Sequence, residues 1–134
     1  MTEKRKTIIA VDDNNANLVA CKKILKPFYE VYPASSAAKM FKLMEHITPD
    51  LILLDVEMPD MNGYEAARML KNNNASDKIP IIFLSARDDP VSEKFGLNLG
   101  ALDYIHKPIV GSQLLSRIES HLSQKSSETS SEQA

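Results

Sequence analysis

Residues 51–59 read Leu51-Ile52-Leu53-Leu54-Asp55-Val56-Glu57-Met58-Pro59. Four large apolar residues follow one another without a polar break, and the run stops at a carboxylate. A strand with one wet face alternates apolar and polar residues. An unbroken apolar run of this length suits a strand covered on both faces, the habit of parallel sheets. Met58-Pro59 then turns the chain. Outward from this segment, similar runs recur at Thr7–Val11, Ile81–Leu84 and Leu102–Ile105, with a weaker one at Glu30–Pro33. Between them lie helix-period segments. Asn14 to Lys26 is stopped near Pro27. Ser36 caps a helix through about His46, with Ala37, Met40, Phe41 and Met44 apolar. Asn62 to Asn72 follows the 51–59 stretch. Asp89 caps a helix that has Pro90 in its first turn and ends at Gly100. Ser112 to about Leu122 places Leu114, Leu115, Ile118 and Leu122 on one side.

Buried strands alternating with helices predict a parallel sheet with helices on both faces. Right-handed crossovers make it a doubly wound sandwich. Such sheets bind ligands beyond the carboxyl ends of their strands. Asp12 and Asp13 end the first strand, Asp55 the third, Ser85 the fourth, and His106-Lys107 the fifth. Groups far apart in the chain therefore converge on one edge.

The chain has 134 residues, 43% hydrophobic and 25% charged, with a formal net charge of −2. That suits one domain and offers no strong field toward nucleic acid or an anionic membrane. The expected division is a short N-terminal extension (1–6), one domain (7–122) and a disordered tail or linker (123–134). The tail is expected from its Ser, Glu, Gln, Lys, Thr and Ala composition, which has little to bury. The single cysteine, Cys21, lies in a helical pattern with Leu18 and Leu25 and is expected in the core. A chain without a disulfide partner, and with only Ile8–Val11 apolar after its basic start, is expected in the cytoplasm rather than in or across a membrane.

Three carboxylates at one edge repel each other unless a cation sits among them. Oxygen ligands with room for water and phosphate favour Mg²⁺. His46, His106 and His121 have no metal-ligand spacing, so zinc is not expected. A carboxylate can attack a phosphoryl group to form an acyl phosphate, provided the meeting of two anions is eased by a metal and an ammonium. Asp55, Asp13, Mg²⁺ and Lys107 would supply those parts, with Ser85 donating to a phosphoryl oxygen. Singly, each residue has a plainer reading. Asp12 or Asp13 fits a helix N-cap, Asp55 a turn, Ser85 a solvated hydroxyl, and Lys107 a surface lysine.

These residues resemble the receiver domain of two-component response regulators. The likeness is carried by Val11-Asp12-Asp13, Leu53 through Pro59, Met61-Asn62-Gly63, Phe83-Leu84-Ser85-Ala86, Gly96 through Gly100-Ala101, and Asp103-Tyr104-Ile105-His106-Lys107-Pro108. It spans about Lys6 to Leu122. It implies a flavodoxin-like fold of five βα units, an α/β sandwich with strand order 2-1-3-4-5. Asp55 would be the phospho-acceptor. Asp13, Asp55 and the main-chain carbonyl of Glu57 would bind Mg²⁺ directly, and Asp12 through water. Lys107 would pair with the phosphoryl group, and its bond to Pro108 would be cis. Ser85 and Tyr104 would form the switch, the ring turning inward as Ser85 is drawn to the phosphate. Glu57 and Arg87, each two residues past a site residue, would flank the path of hydrolytic water. An ion pair between them would slow loss of the phosphoryl group; the plainer reading is two solvated charges.

The implied donor is a phosphohistidine on a sensor histidine kinase or a histidine phosphotransfer protein. The implied reader is an output domain or target protein of unspecified kind, with no direct nucleic-acid or membrane binding by this chain. A homodimer through the fourth helix, fifth strand and fifth helix is a candidate: Asp103 and Arg117 match one of its charged pairs, whereas Glu93 and Gln113 depart from another. The alternative is an enzyme with an aspartyl-phosphate intermediate, such as a haloacid-dehalogenase-type phosphatase, for which Glu57 superficially resembles the second acid. In that class, however, the nucleophile ends the first strand. A flavin carrier would need a phosphate cradle where Asp12-Asp13 would repel it.

Overall fold

The computed structural model describes residues 5–133 except Asp88, with side chains described as far as Leu122. The elements alternate from β1 (Thr7–Val11), α1 (Asn15–Leu25), β2 (Glu30–Ala34), α2 (Ala37–Leu43) and β3 (Leu51–Asp55) to α3 (Gly63–Lys71), β4 (Ile81–Ser85), α4 (Pro90–Asn98), β5 (Asp103–His106) and α5 (Gly111–Gln133). All strand pairs are parallel and the order is β2-β1-β3-β4-β5. This is the expected flavodoxin-like sandwich.

Alternation along the strands divides the core in two. Ile9, Val11, Ile52, Leu54, Ile81, Phe83 and Tyr104 face Met40, Ala66, Ala67 and Leu70 of α2 and α3. Ile8, Ala10, Leu51, Leu53, Ile82, Leu84 and Ile105 face Leu18, Cys21, Leu25, Leu114, Ile118 and Leu122 of α1 and α5. Leu51, Ile52, Leu53 and Leu54 are wholly buried, and truncating any of them to Ala would cost about 2–5 kcal/mol. Cys21 lies in the second core, where burial pushes its thiol up to about 11 and leaves it a packing residue.

Local chemistry sets the helix starts. Asn14 caps α1 by accepting from Asn17 N. The capping role offered to Asp12 or Asp13 is thus taken by a neighbour, and both carboxylates are left for other work. Asn62 and Glu65 form a capping box on α3, Ser36 caps α2, and Asp89 caps α4 ahead of Pro90. Gly100, with φ +101°, ends the α4 segment where other residues would be strained.

A few boundaries differ from expectation. β5 begins at Asp103 rather than Leu102, whose side chain is exposed. Asp55 and Ser85 end their strands as expected, Asp55 pairing with Leu84 and Ser85 with His106 in register, so the plainer turn reading of Asp55 does not apply. The backbone of α5 runs past Leu122 through Gln133. The side chains of 123–133, the first four residues and Ala134 lie outside the described residues, and with them most of the expected extension; of the expected tail only the backbone is described, as the continuation of α5.

Candidate functional site

Register brings the strand ends together. Val11 pairs with Leu54 and Asp55 with Leu84, so residues 12, 55 and 85 come to the same sheet edge. Asp12, Asp13 and Asp55 place carboxylate oxygens within 4.8 Å of one another. Asp12 and Asp55 are each 2% exposed, whereas Asp13 is exposed at the rim. Lys107 Nζ donates to Asp12 Oδ2 at 2.9 Å and to Asp55 Oδ1 at 3.0 Å. Burial works against the Lys107 charge, but its hydrogen bonds to the two aspartates outweigh that and hold the ammonium above its usual range. The Lys107–Pro108 bond is cis.

Asp12 is held on every side. Its Oδ1 accepts from Asn14 N at 2.9 Å, and its Oδ2 accepts from Asn17 Nδ2 at 3.2 Å as well as from Lys107. Asp55 is less well provided for. Burial pushes its carboxyl from 3.8 up to about 6; the Lys107 hydrogen bond opposes this and the Asp12 charge adds to it. Three carboxylates against one ammonium leave two uncompensated negative charges in the cluster. That deficit, together with an all-oxygen donor set, fits a divalent hard cation. Among the described residues no other group of acids, histidines or cysteines has this spacing.

The backbone behind Asp55 is tightly packed. Gly63, the first residue of α3, donates its N–H to Val56 O at 2.8 Å. A Cβ at Gly63 would collide with the Asp55 carbonyl oxygen. Glycine is therefore required for α3 to start close under the site.

The other expected residues are placed as follows. Ser85 is wholly buried, and its Oγ accepts from Arg87 N at 2.9 Å. Its carbonyl accepts from Lys107 N at 2.7 Å, which ties the fourth and fifth strand ends together. Arg87 Nε donates to Glu57 Oε2 at 3.0 Å, with both side chains about half exposed. Both also line a small cavity with Val56, Met58, Asn62 and Tyr64. Tyr104 is buried at 2% exposure, its ring centroid 6.2 Å from that of Phe83 and 5.5 Å from that of His106. α4 approaches it through Gly96, where a Cβ would stand 3.0 Å from both Phe83 Cδ2 and Tyr104 Cδ2.

Charged groups on the α4–β5–α5 side pair within the chain. Asp103 accepts from Arg117 Nη1 at 2.8 Å and lies 3.0 Å from His121 Nε2. Glu93 lies 3.3 Å from His106 Nε2. The sequence reading gave no role to Asn17 or Tyr64 and placed His106 only at the strand end. Asn14 and Asn17 act locally, two to five residues from their partners, whereas Tyr64 and His106 act through tertiary contacts that no local pattern marks.

The sequence matches the family model of the response regulator receiver domain over residues 8–119. It is 37% identical over 121 residues to a Vibrio cholerae protein named a probable cyclic di-GMP phosphodiesterase, covering 90% of this chain and 27% of that one. It is 35% identical over 114 residues to the response regulator PleD of Caulobacter vibrioides, covering 84% of this chain and 25% of PleD. The chain therefore spans about a quarter of the length of these two relatives. A CheY-like response regulator receiver domain protein from Methanospirillum hungatei JF-1 superposes with a TM-score of 0.84 at 31% identity, covering 93% of this chain and 99% of that one. Motif order, sheet topology, the acid cluster with its lysine, and these similarities agree: the chain belongs to the response regulator receiver domain family.

Proposed function

We propose that Asp55 accepts a phosphoryl group from a phosphohistidine on a sensor kinase or phosphotransfer protein. The observation that carries this reading is the cluster itself: Asp55 is buried beside Asp12 and within reach of a single ammonium, Lys107. In transfer, an Asp55 carboxylate oxygen forms a bond to phosphorus as the P–N bond to the donor imidazole breaks. The imidazole leaves with that electron pair and is protonated. The two uncompensated charges call for Mg²⁺, held by Asp13, Asp55 and the main-chain carbonyl of Glu57, with Asp12 acting through water. Bound there, Mg²⁺ would neutralise charge between the attacking and transferred groups. Lys107 orients Asp55 and meets a phosphoryl oxygen, and Ser85 donates to another. The chain acts as a signalling module whose only chemistry is its own phosphorylation and dephosphorylation. The phosphatase alternative is disfavoured because Asp55 ends β3 rather than β1 and Glu57 is engaged by Arg87.

Occupancy of Asp55 is read at Ser85 and Tyr104, which shift the balance of two conformations of the α4–β5–α5 face toward or away from an output domain or target protein. Homodimerisation by that face requires the intrachain Asp103–Arg117 pair to open. The Glu57–Arg87 pair flanks the path of the hydrolytic water and slows its entry. The whole process is placed in the cytoplasm, consistent with one buried, unpaired thiol; among the described residues no helix is long and apolar enough to cross a membrane.

Acetyl phosphate with Mg²⁺ should add the mass of one phosphoryl group to the wild-type chain and none to Asp55→Asn. A gain that is independent of Mg²⁺, or that persists in Asp55→Asn, refutes the assignment. Glu57→Ala and Arg87→Ala should each lose the phosphoryl group faster; unchanged rates dispose of the pair's role in slowing hydrolysis.

A further inference from the structure

The Tyr104 hydroxyl lies 3.3 Å from the hydroxyl of Tyr64, the second residue of α3. Tyr64 in turn donates to the Ser92 carbonyl oxygen at 3.0 Å. A phenol has one proton, and a carbonyl can only accept. The proton of Tyr64 is committed to Ser92, so Tyr104 must donate to Tyr64. The result is a directed chain, Tyr104 O–H to Tyr64 O–H to Ser92 C=O, running from β5 through α3 to the first turn of α4. Burial, reinforced by Tyr104, pushes the Tyr64 phenol above the usual tyrosine range, so it stays a donor.

We propose that Tyr64 is a positioning residue that latches Tyr104 in its inward orientation. The proposal rests on the reading of Tyr104 as the switch aromatic. Among the described residues Tyr64 provides the only partner for the buried Tyr104 hydroxyl. Without it, an inward Tyr104 would leave a polar group unsatisfied in the core, and an outward one would find water. The latch is also wired to the phosphorylation site. Gly63, next to Tyr64, packs so close to the Asp55 carbonyl that a Cβ there would collide with it, and it is hydrogen-bonded to Val56 O. A shift at the end of β3 therefore moves the start of α3 and the hydroxyl on which Tyr104 rests. The Tyr64 ring is held edge-on against Phe83, at 5.1 Å, and Phe95, at 4.8 Å. Tyr64→Phe would keep those contacts and remove only the relay.

The test is a double-mutant cycle on the full chain. Protein labelled with 3-fluorotyrosine reports the inward-to-outward ratio of Tyr104 by fluorine NMR, with Tyr104→Phe identifying its resonance. Tyr64→Phe should lower that ratio about tenfold, the effect of stranding one buried hydroxyl. It should also weaken Mg²⁺-dependent beryllofluoride binding in the wild-type background. In Tyr104→Phe there is no hydroxyl to strand, so Tyr64→Phe should leave beryllofluoride affinity unchanged. An unaltered Tyr104 ratio, or equal losses of affinity in both backgrounds, overturns the latch. If beryllofluoride fails to move Tyr104 in the wild type while Tyr64→Phe still changes its ratio, the switch reading falls and the latch stands.

Discussion

Asp55→Asn should make the metal-free domain more stable at pH 8 and about a third as much so at pH 4.5. The wild-type carboxyl sits in a site where burial and the Asp12 charge raise it from 3.8 to about 6 against the pull of Lys107. Between those values the folded chain still holds a proton that the unfolded chain has released. Stability from this group is therefore full below 3.8 and is lost as pH rises through about 6. At about 1.4 kcal/mol per pKa unit the difference is at most about 3 kcal/mol. The rim at Asp13 is open to water, which screens the charge, so roughly 1–2 kcal/mol is the expected penalty at pH 8. Asparagine keeps the shape and an oxygen for Lys107 but carries no charge. For a domain of this size the gain should appear as a rise in Tm of about 4–8 °C. Thermal unfolding followed by circular dichroism in EDTA, at both pH values, measures it. A variant no more stable than wild type at pH 8, or one equally stabilised at pH 4.5, would show that like-charge crowding and burial do not govern Asp55.

Other perturbations probe the same site. At a hundredfold excess over its Kd, Mg²⁺ should stabilise the wild type by about 2.7 kcal/mol; Asp13→Ala should lose most of that gain in a thermal shift titration, and an equal gain would remove Asp13 from the binding set. Lys107→Met leaves Asp12 and Asp55 without their shared ammonium and should cost about 2–4 kcal/mol in urea unfolding at pH 8, with much of the loss recovered at pH 4.5, where Asp55 is protonated. Gly63→Ala drives a Cβ into the Asp55 carbonyl and should cost at least about 2 kcal/mol while impairing phosphorylation; a neutral result would mean that α3 can move away from β3 freely.

Fold class and site were legible to different degrees. The unbroken apolar runs, the helix-period segments and the polar residue ending four of the five runs define a parallel sandwich and its candidate edge, because burial on both faces leaves the same mark wherever it occurs. The plainer readings of single residues were decided by neighbours. Asp12 and Asp13 were freed from capping by Asn14. Asp55 proved to be a strand residue with a register partner. Glu57 and Arg87, equally readable as solvated charges, lie 3.0 Å apart.

By itself the sequence determined the strand–helix alternation, the glycine and proline stops, and which side chains had to be inside, since these depend on local propensity and on solvation of the chain. Only the tertiary structure decided how charge is shared at the edge and who holds Tyr104. Lys107 bridging Asp12 and Asp55, and the relay from Tyr104 through Tyr64 to Ser92, join residues 28 to 95 positions apart. Such contacts depend on register and on the closeness of glycine-lined packing at Gly63 and Gly96, which are properties of the folded chain and of no single segment.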